Sequence, residues 1–344
     1  MKIGAIMGLI LGFSLVLVTG FAQGPTQTKT SLEWAGLKGP VKSVFHVSHI
    51  AVLQGDSIVR GTEEWENSGS GNWLYVYNRA GYEIEEVEYS TFGTMRIVTI
   101  RDSLNRDVEE YSYDSEGQLT YKSVSKYNAF GLLAEGLSYD NDDRLLSVVS
   151  FLYDGIGNKI EERVHNYKSY FSDEETLNSF YFEYDKKNNL VRQTGGRMKF
   201  EYRYLYNKNG QQIDEKVMDS TGLMFIHTLS DYDQNGYLIQ RQRIENRGEG
   251  DNSSECSRYE YDAQGNQLRY IRCDGDCKPL SAIVKSYDDH NRIVEYLEVD
   301  VFGAIEATYT YRYKVDQFGN WTHMYVYLNG KPTYIIERVM EYYN

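Results

Sequence analysis

The sequence is poor in the residues that punctuate or cross-link a chain. Of 344 residues, 4 are proline and 3 are cysteine. Three thiols, Cys256, Cys273 and Cys277, cannot all pair within one chain, so a dense disulfide framework is excluded. The segment Cys273-Asp274-Gly275-Asp276-Cys277 gathers thiolates and carboxylates, but no second Cys/His pair stands at finger-like spacing. It is read as a turn, stapled by a disulfide or not, and the pairing is left open. No metal or other cofactor is expected. Basic runs are missing too. Lys+Arg total 36 against 50 Asp+Glu, for a net charge of −14, which argues against nucleic acid and anionic membrane as default partners.

Catalytic signatures are also absent. The histidines His46, His49, His165, His227, His290 and His323 are scattered and form no HExxH pair. There is no GxSxG nucleophile turn and no GxxxxGK[ST] phosphate loop. Adjacent carboxylates such as Glu85-Glu86 and Glu161-Glu162 recur by repeat position, which assigns them to a scaffold. The acidic segments 140–143 and 251–255 lack EF-hand spacing and are read as solvated turns. A non-enzyme is expected.

Long apolar runs occur only at the start. Lys2 precedes an apolar stretch from Ile3 to Val18, and Gly20 and Ala22 form a small-x-small cleavage site. The stretch falls short of the ~20 residues needed to span a bilayer. Residues 1–22 are therefore expected to be a signal peptide cut between Ala22 and Gln23. That places the chain in the periplasm, on the cell surface or outside the cell, with no transmembrane segment after signal removal.

What is abundant is tyrosine, with 32 copies. Many stand in one motif. Tyr77-Asn78-Arg79-Ala80-Gly81 recurs as Tyr113-Asp114-Ser115-Glu116-Gly117, Tyr127-Asn128-Ala129-Phe130-Gly131, Tyr153-Asp154-Gly155-Ile156-Gly157 and Tyr261-Asp262-Ala263-Gln264-Gly265, among others. Copies start at 101, 113, 127, 139 and 153, again at 206, 218 and 232, and again at 261, 273, 287 and 299. The steps alternate 12 and 14, so the unit is 26 residues with two turns. Further turns are expected at His165 and Ile244, hidden by insertions. Asp or Asn caps the turn, and Gly three residues later takes a left-handed conformation at no steric cost.

The long arm alternates, as in Ile305, Ala307, Tyr309, Tyr311 and Tyr313, which marks a strand. The short arm breaks phase at Ile84, Val87 and Tyr89, which predicts a bulge in each short arm. The fold class is all-β: an antiparallel meander of about twenty strands. Sheets that wide curl or split, so a coiled spiral or open shell is expected. Residues 23–74 form an N-terminal lead-in, with a helical turn over 30–38 capped by Ser31 and a strand over 41–53. Residues 75–344 carry the repeats, with insertions near 168–180, where Ser172 to Glu175 has capping-box spacing for a helical turn, and near 248–256.

The Tyr-Asp-x-x-Gly copies resemble the YD repeats of RHS-type exported bacterial proteins. The 12/14 spacing is more similar still to secreted bacterial YD-like repeat proteins, a group of unknown function. Gly36-Leu37-Lys38-Gly39-Pro40-Val41 looks like that group's opening segment, and Gly319-Asn320-Trp321 with Ile336-Glu337-Arg338 looks like its closing unit. The resemblance implies a shell-like sheet. Large RHS-type members enclose a toxic C-terminal domain, whereas this chain reaches Tyr343-Asn344 within its last repeat. The expected function is an exported, non-catalytic β-repeat scaffold binding protein or carbohydrate at the cell envelope. A structural or encapsulating element of an RHS-like secretion or toxin system is the alternative, and a hydrolase comes third. The tyrosine preceding each Asp is read as structural. The off-register aromatics Tyr167, Tyr170, Phe171, Phe180 and Tyr181 are the candidate ligand-binding residues.

Overall fold

The structure, a computed structural model, describes residues 29–64, 72–90, 93–167, 174–197, 199–246 and 252–344. The expected leader, together with Tyr170 and Phe171, lies outside the described residues.

The turns follow one chemical plan. The Asp154 amide donates to the Asn158 carbonyl (2.9 Å), and the Gly157 amide donates to the Asp154 carbonyl (3.2 Å). Asp154 Oδ1 accepts from the amides of Ile156 (3.0 Å) and Asn158 (2.9 Å). Gly157 has φ +95°, which glycine adopts without a Cβ penalty. The same backbone pair of bonds closes the turns at Asp114, Asn128, Asn207, Asp219, Asp233, Asp262, Asp300 and Asp316. At 102, 140, 274 and 288 the left-handed place is taken by Asn105, Asp143, Cys277 and Asn291.

The chain reverses after both expected positions. His165 and Ile244 pair near the ends of β10 (Lys159–Asn166) and β16 (Leu238–Asn246). Each strand returns as the next antiparallel one, from Thr176 and Asn252, and the residues between lie largely outside the described ones. The helical turn expected over 172–175 is described only in part. Ser172 and Asp173 lie outside the described residues, while Glu174 and Glu175 are irregular and Thr176 opens β11 (Thr176–Tyr184).

Bulges follow the tight turns more generally than the sequence suggests. The ladder skips Ile84, Val108, Ala134 and Ile160 in short arms. It also skips Thr120, Leu146, Phe225 and Leu280 in long ones. A bulge at both ends of each unit adds twist and bends the sheet continuously.

The strands form one antiparallel sheet of 23, and that sheet closes. Strand β1 (Val41–Gln54) pairs with β23 (Lys331–Tyr342) on one edge, from Val41 to Ile50. On its other edge Ser43 to His46 pair with β3 (Asn72–Tyr77). The far end of β1 pairs with β2 (Ser57–Glu63), which stands outside the ring. The result is a closed 22-strand barrel, which corrects the expected open spiral or shell. The physical cause is β1, a non-repeat strand that fits between the first and last repeats. Closing removes both exposed edges.

The seam is well packed. Val41 and Val44 are fully buried with Leu32, Leu37 and Tyr77, each aliphatic contributing about 1.5–3 kcal/mol. Ile336, Val326 and Met324 form the adjoining cluster. Helix α1 (Ser31–Trp34) lies at this seam. Thr30, rather than Ser31, caps it: Thr30 Oγ1 accepts from the Glu33 amide (3.3 Å), and Glu33 Oε2 accepts from the Thr30 amide (2.6 Å). Ser31 Oγ instead accepts from the Glu83 amide (3.0 Å).

Elsewhere a disulfide joins Cys256 to Cys277, leaving Cys273 free and buried. It ties the turn at 274–277 to β17 (Asn252–Tyr261).

Candidate ligand-binding face

Residues opposed in an antiparallel ladder project from the same face. His46 opposes Arg338 and Trp73, Val44 opposes Met340 and Tyr75, and Tyr75 opposes Glu86. Ile336 opposes Met324, which opposes Tyr313. This face is the inner one. Burial pushes up the phenols of Tyr75, Tyr77, Tyr204 and Tyr311 and the carboxyls of Glu86 and Glu110. The opposite face is the more exposed one. Leu152, Leu205 and Val339 are 52%, 58% and 57% exposed there. Ion pairs also lace it, such as Arg96–Glu85 (2.6 Å), Arg163–Glu161 (2.7 Å), Arg203–Glu201 (2.6 Å) and Arg269–Glu260 (3.2 Å).

Many inner tyrosines hold the wall together. The hydroxyl of Tyr127 donates to the Asp107 carbonyl (2.9 Å), Tyr153 to Leu133 (2.7 Å) and Tyr184 to Lys159 (2.9 Å). Tyr232 donates to Gln212 (3.0 Å), Tyr287 to Gln267 (2.9 Å) and Tyr313 to Ile293 (2.8 Å). Each acceptor is the first residue of a strand that follows a tight turn. The bulge disturbs the ladder there, and the phenol satisfies the carbonyl. The hydroxyls of Tyr75, Tyr77, Tyr204 and Tyr311 have no such partner among the described residues; Tyr77 and Tyr311 are buried, and Tyr75 and Tyr204 are half-buried.

The inner face is most elaborate at the seam. Arg338 of β23 lies with its guanidinium 3.6 Å from the centroid of the Trp321 ring, on β22 (Trp321–Leu328). Trp321 meets His46 edge-on at 6.0 Å and Tyr313 at 6.3 Å. His46 meets Tyr75 edge-on at 6.0 Å, and Tyr75 stacks on Trp73 at 6.2 Å. Arg338 Nε is enclosed and has no hydrogen-bond partner among the described residues. Among the described residues no carboxylate pairs with it; the adjacent Glu337 points outward and binds Arg60 at 2.5 Å. Burial lowers Arg338 to about 10, so it stays charged at neutral pH. Burial, aided by the Arg338 charge, lowers His46 to about 3, so the imidazole is neutral. The cage therefore holds one positive charge.

Next to it lies an acidic sector. Burial, with Glu86 nearby, pushes Glu83 of β4 (Glu83–Ser90) up to about 7, against the pull of Arg101. Asp107 and Glu110 of β6 (Asp107–Tyr113) are raised chiefly by burial. Arg101 pairs with Asp107 at 2.6 Å.

Of the aromatics singled out from sequence, the three described, Tyr167, Phe180 and Tyr181, do not converge. Phe180 is opposed to Gly195 and Glu162 on the inner face, while Tyr181, next in the strand, is 50% exposed on the outer. Tyr167 rests against the His165 ring at 4.1 Å. His165 Nε2 contacts Glu175 Oε1 at 2.6 Å, a surface pair with no third chemical partner among the described residues. No group of three His, Cys, Asp or Glu side chains among them could hold a metal. An outer groove of about 490 Å³ is lined by Leu74, Val87, Tyr89 and Tyr113, with the paired Arg96 and Glu85 and the turn residue Asp114.

The residues of the Arg338 cage escaped sequence reasoning because they come from both ends of the chain. The one available signal was the odd Arg338 and Trp321 of the closing unit.

No family model matches the chain, and no curated protein does. Among solved structures, the TcdB2–TccC3–TEV crystal structure is similar at 13% identity and TM-score 0.31, over 86% of this chain and 19% of that one. A mutant Tc holotoxin pore of Photorhabdus luminescens is similar at 13% identity and TM-score 0.30, over 78% of this chain and 20% of that one. The chain thus spans about a fifth of the length of these toxin chains. A porin-like protein from Bacteroides uniformis is similar at 10% identity and TM-score 0.27, over 88% of this chain and 98% of that one. At such identities and TM-scores these likenesses carry no argument about what the chain does.

Proposed function

We propose that the chain is an exported, non-catalytic barrel of YD-type hairpin repeats that binds a glycan on its inner face. The observation that carries this reading is the pair of part-exposed inner tyrosines whose hydroxyls have no partner among the described residues, Tyr75 and Tyr204. A tyrosine ring offers a rigid apolar face and a polar tip, which suits the faces and hydroxyls of sugars. Export is supported by the leader reading and by the Cys256–Cys277 disulfide. The charged outer face supports a barrel in water, because a lipid-facing barrel needs an apolar outer band. Among the described residues no helix is long and apolar enough to cross a membrane.

The closed ring favours a second reading, in which the barrel encapsulates a protein partner in an RHS-like secretion or toxin system. A glycan array probed with the mature chain, followed by fluorescence titration of the hits, separates the two. The glycan reading expects hits whose affinity falls about tenfold or more in Tyr75→Ala/Tyr204→Ala and is unchanged in Tyr181→Ala. An empty array, with a defined polypeptide protected from protease inside the barrel, supports encapsulation instead.

A further inference from the structure

We propose that the aromatic cage around Arg338 is a binding site for the carboxylate of an acidic sugar, a uronate, held against the inner wall. The sugar part rests on the glycan reading above; the charge part rests on Arg338 alone. An enclosed cation without a counter-charge is costly. Several other arginines are paired: Arg60 with Glu337, Arg101 with Asp107, Arg163 with Glu161. Among the described residues Arg258, Arg269 and Arg338 each keep an enclosed Nε without an acceptor, and of the three Arg338 stacks on an indole.

The geometry selects the anion. Stacking on Trp321 covers one face of the guanidinium and leaves its edge, where N–H donors match a planar carboxylate bidentately. The acidic sector of Glu83 and Glu86, which follows Tyr77 and Tyr75 on the same face, disfavours a doubly charged phosphate. The unspent Tyr75 hydroxyl supplies a polar contact for a sugar ring, and neutral His46 adds no second charge.

The test titrates the mature chain with tri-galacturonate, its methyl ester, a neutral galactose trisaccharide, acetate, and a short peptide with a free C-terminal carboxylate. Calorimetry and tryptophan emission are read together. The expected result is binding of tri-galacturonate, with the ester and the neutral sugar about tenfold weaker or worse and a similar loss in Arg338→Gln. Arg338→Lys should retain part of the affinity. Circular dichroism checks that the variants fold, and the acid-against-ester comparison on the unmodified chain decides the matter if they do not. Equal binding of acid and ester, or wild-type affinity in folded Arg338→Gln, overturns the proposal while leaving the glycan reading intact. Binding of acetate or peptide but no sugar overturns the uronate assignment and the glycan reading together. Absence of binding to every probe overturns the proposal.

Discussion

Arg338 stacks 3.6 Å from the Trp321 ring centre while its Nε finds no acceptor among the described residues. The two residues are 17 apart in sequence and sit on neighbouring strands, β22 and β23. An uncompensated charge so placed weakens the empty barrel. Replacement of Arg338 by methionine is therefore expected to stabilise the ligand-free chain, by about 1–4 kcal/mol, since apolar substitution of buried charge is often favourable. Urea unfolding measures it, and a loss of stability would show that Arg338 is already satisfied.

Tyr153 donates to the Leu133 carbonyl at 2.7 Å. Tyr153→Phe keeps the ring and leaves that carbonyl without its donor, at a cost of about 1 kcal/mol. Tyr181→Phe, on the exposed outer face, is expected to change stability by less than about 0.5 kcal/mol. Equal effects at both sites would remove the clasp role from the inner tyrosines.

Glu83 is raised from 4.5 to about 7, so the folded state holds its proton more tightly than the unfolded one. Stability then falls as pH rises from about 4.5 through about 7 and is flat beyond that window. Glu86, Asp107 and Glu110 shift the same way and deepen the slope. Glu83→Gln should flatten the profile, with a gain over wild type approaching about 3 kcal/mol at pH 8. Thermal melts across this range check the sign; a variant less stable than wild type at pH 8 would refute it.

Cys256 and Cys277 enclose 21 residues of separation, so the double change Cys256→Ala/Cys277→Ala is expected to cost about 3 kcal/mol. Buried Cys273 should resist a thiol reagent in the native chain and react on unfolding, as mass spectrometry would report.

The local structure was legible in the sequence because its causes are local. Asp154 and Gly157 specify a turn through bonds within five residues, and the phase break at Ile84 marked a bulge. The register also located the reversals after His165 and Ile244, where β10 and β16 end within two residues. Closure was not legible. It depends on β1 pairing with β23 across nearly the whole chain, and nothing in a repeat announces what its first and last copies will touch. The same long range hid the candidate site, since His46, Tyr75, Trp321 and Arg338 meet only when the ring is shut.

The seam also sets an order of events. The amide of Tyr343 donates to the carbonyl of Pro40 at 2.8 Å, so the two ends of the described chain lie side by side. Hairpins can form one after another as the polypeptide emerges, each paired with the one before it. Strand β1 must meanwhile wait for β23, exposing a row of unsatisfied backbone groups to any passing strand. Non-local pairing of this kind is slow, so the interval before closure is when the chain is most open to misassembly.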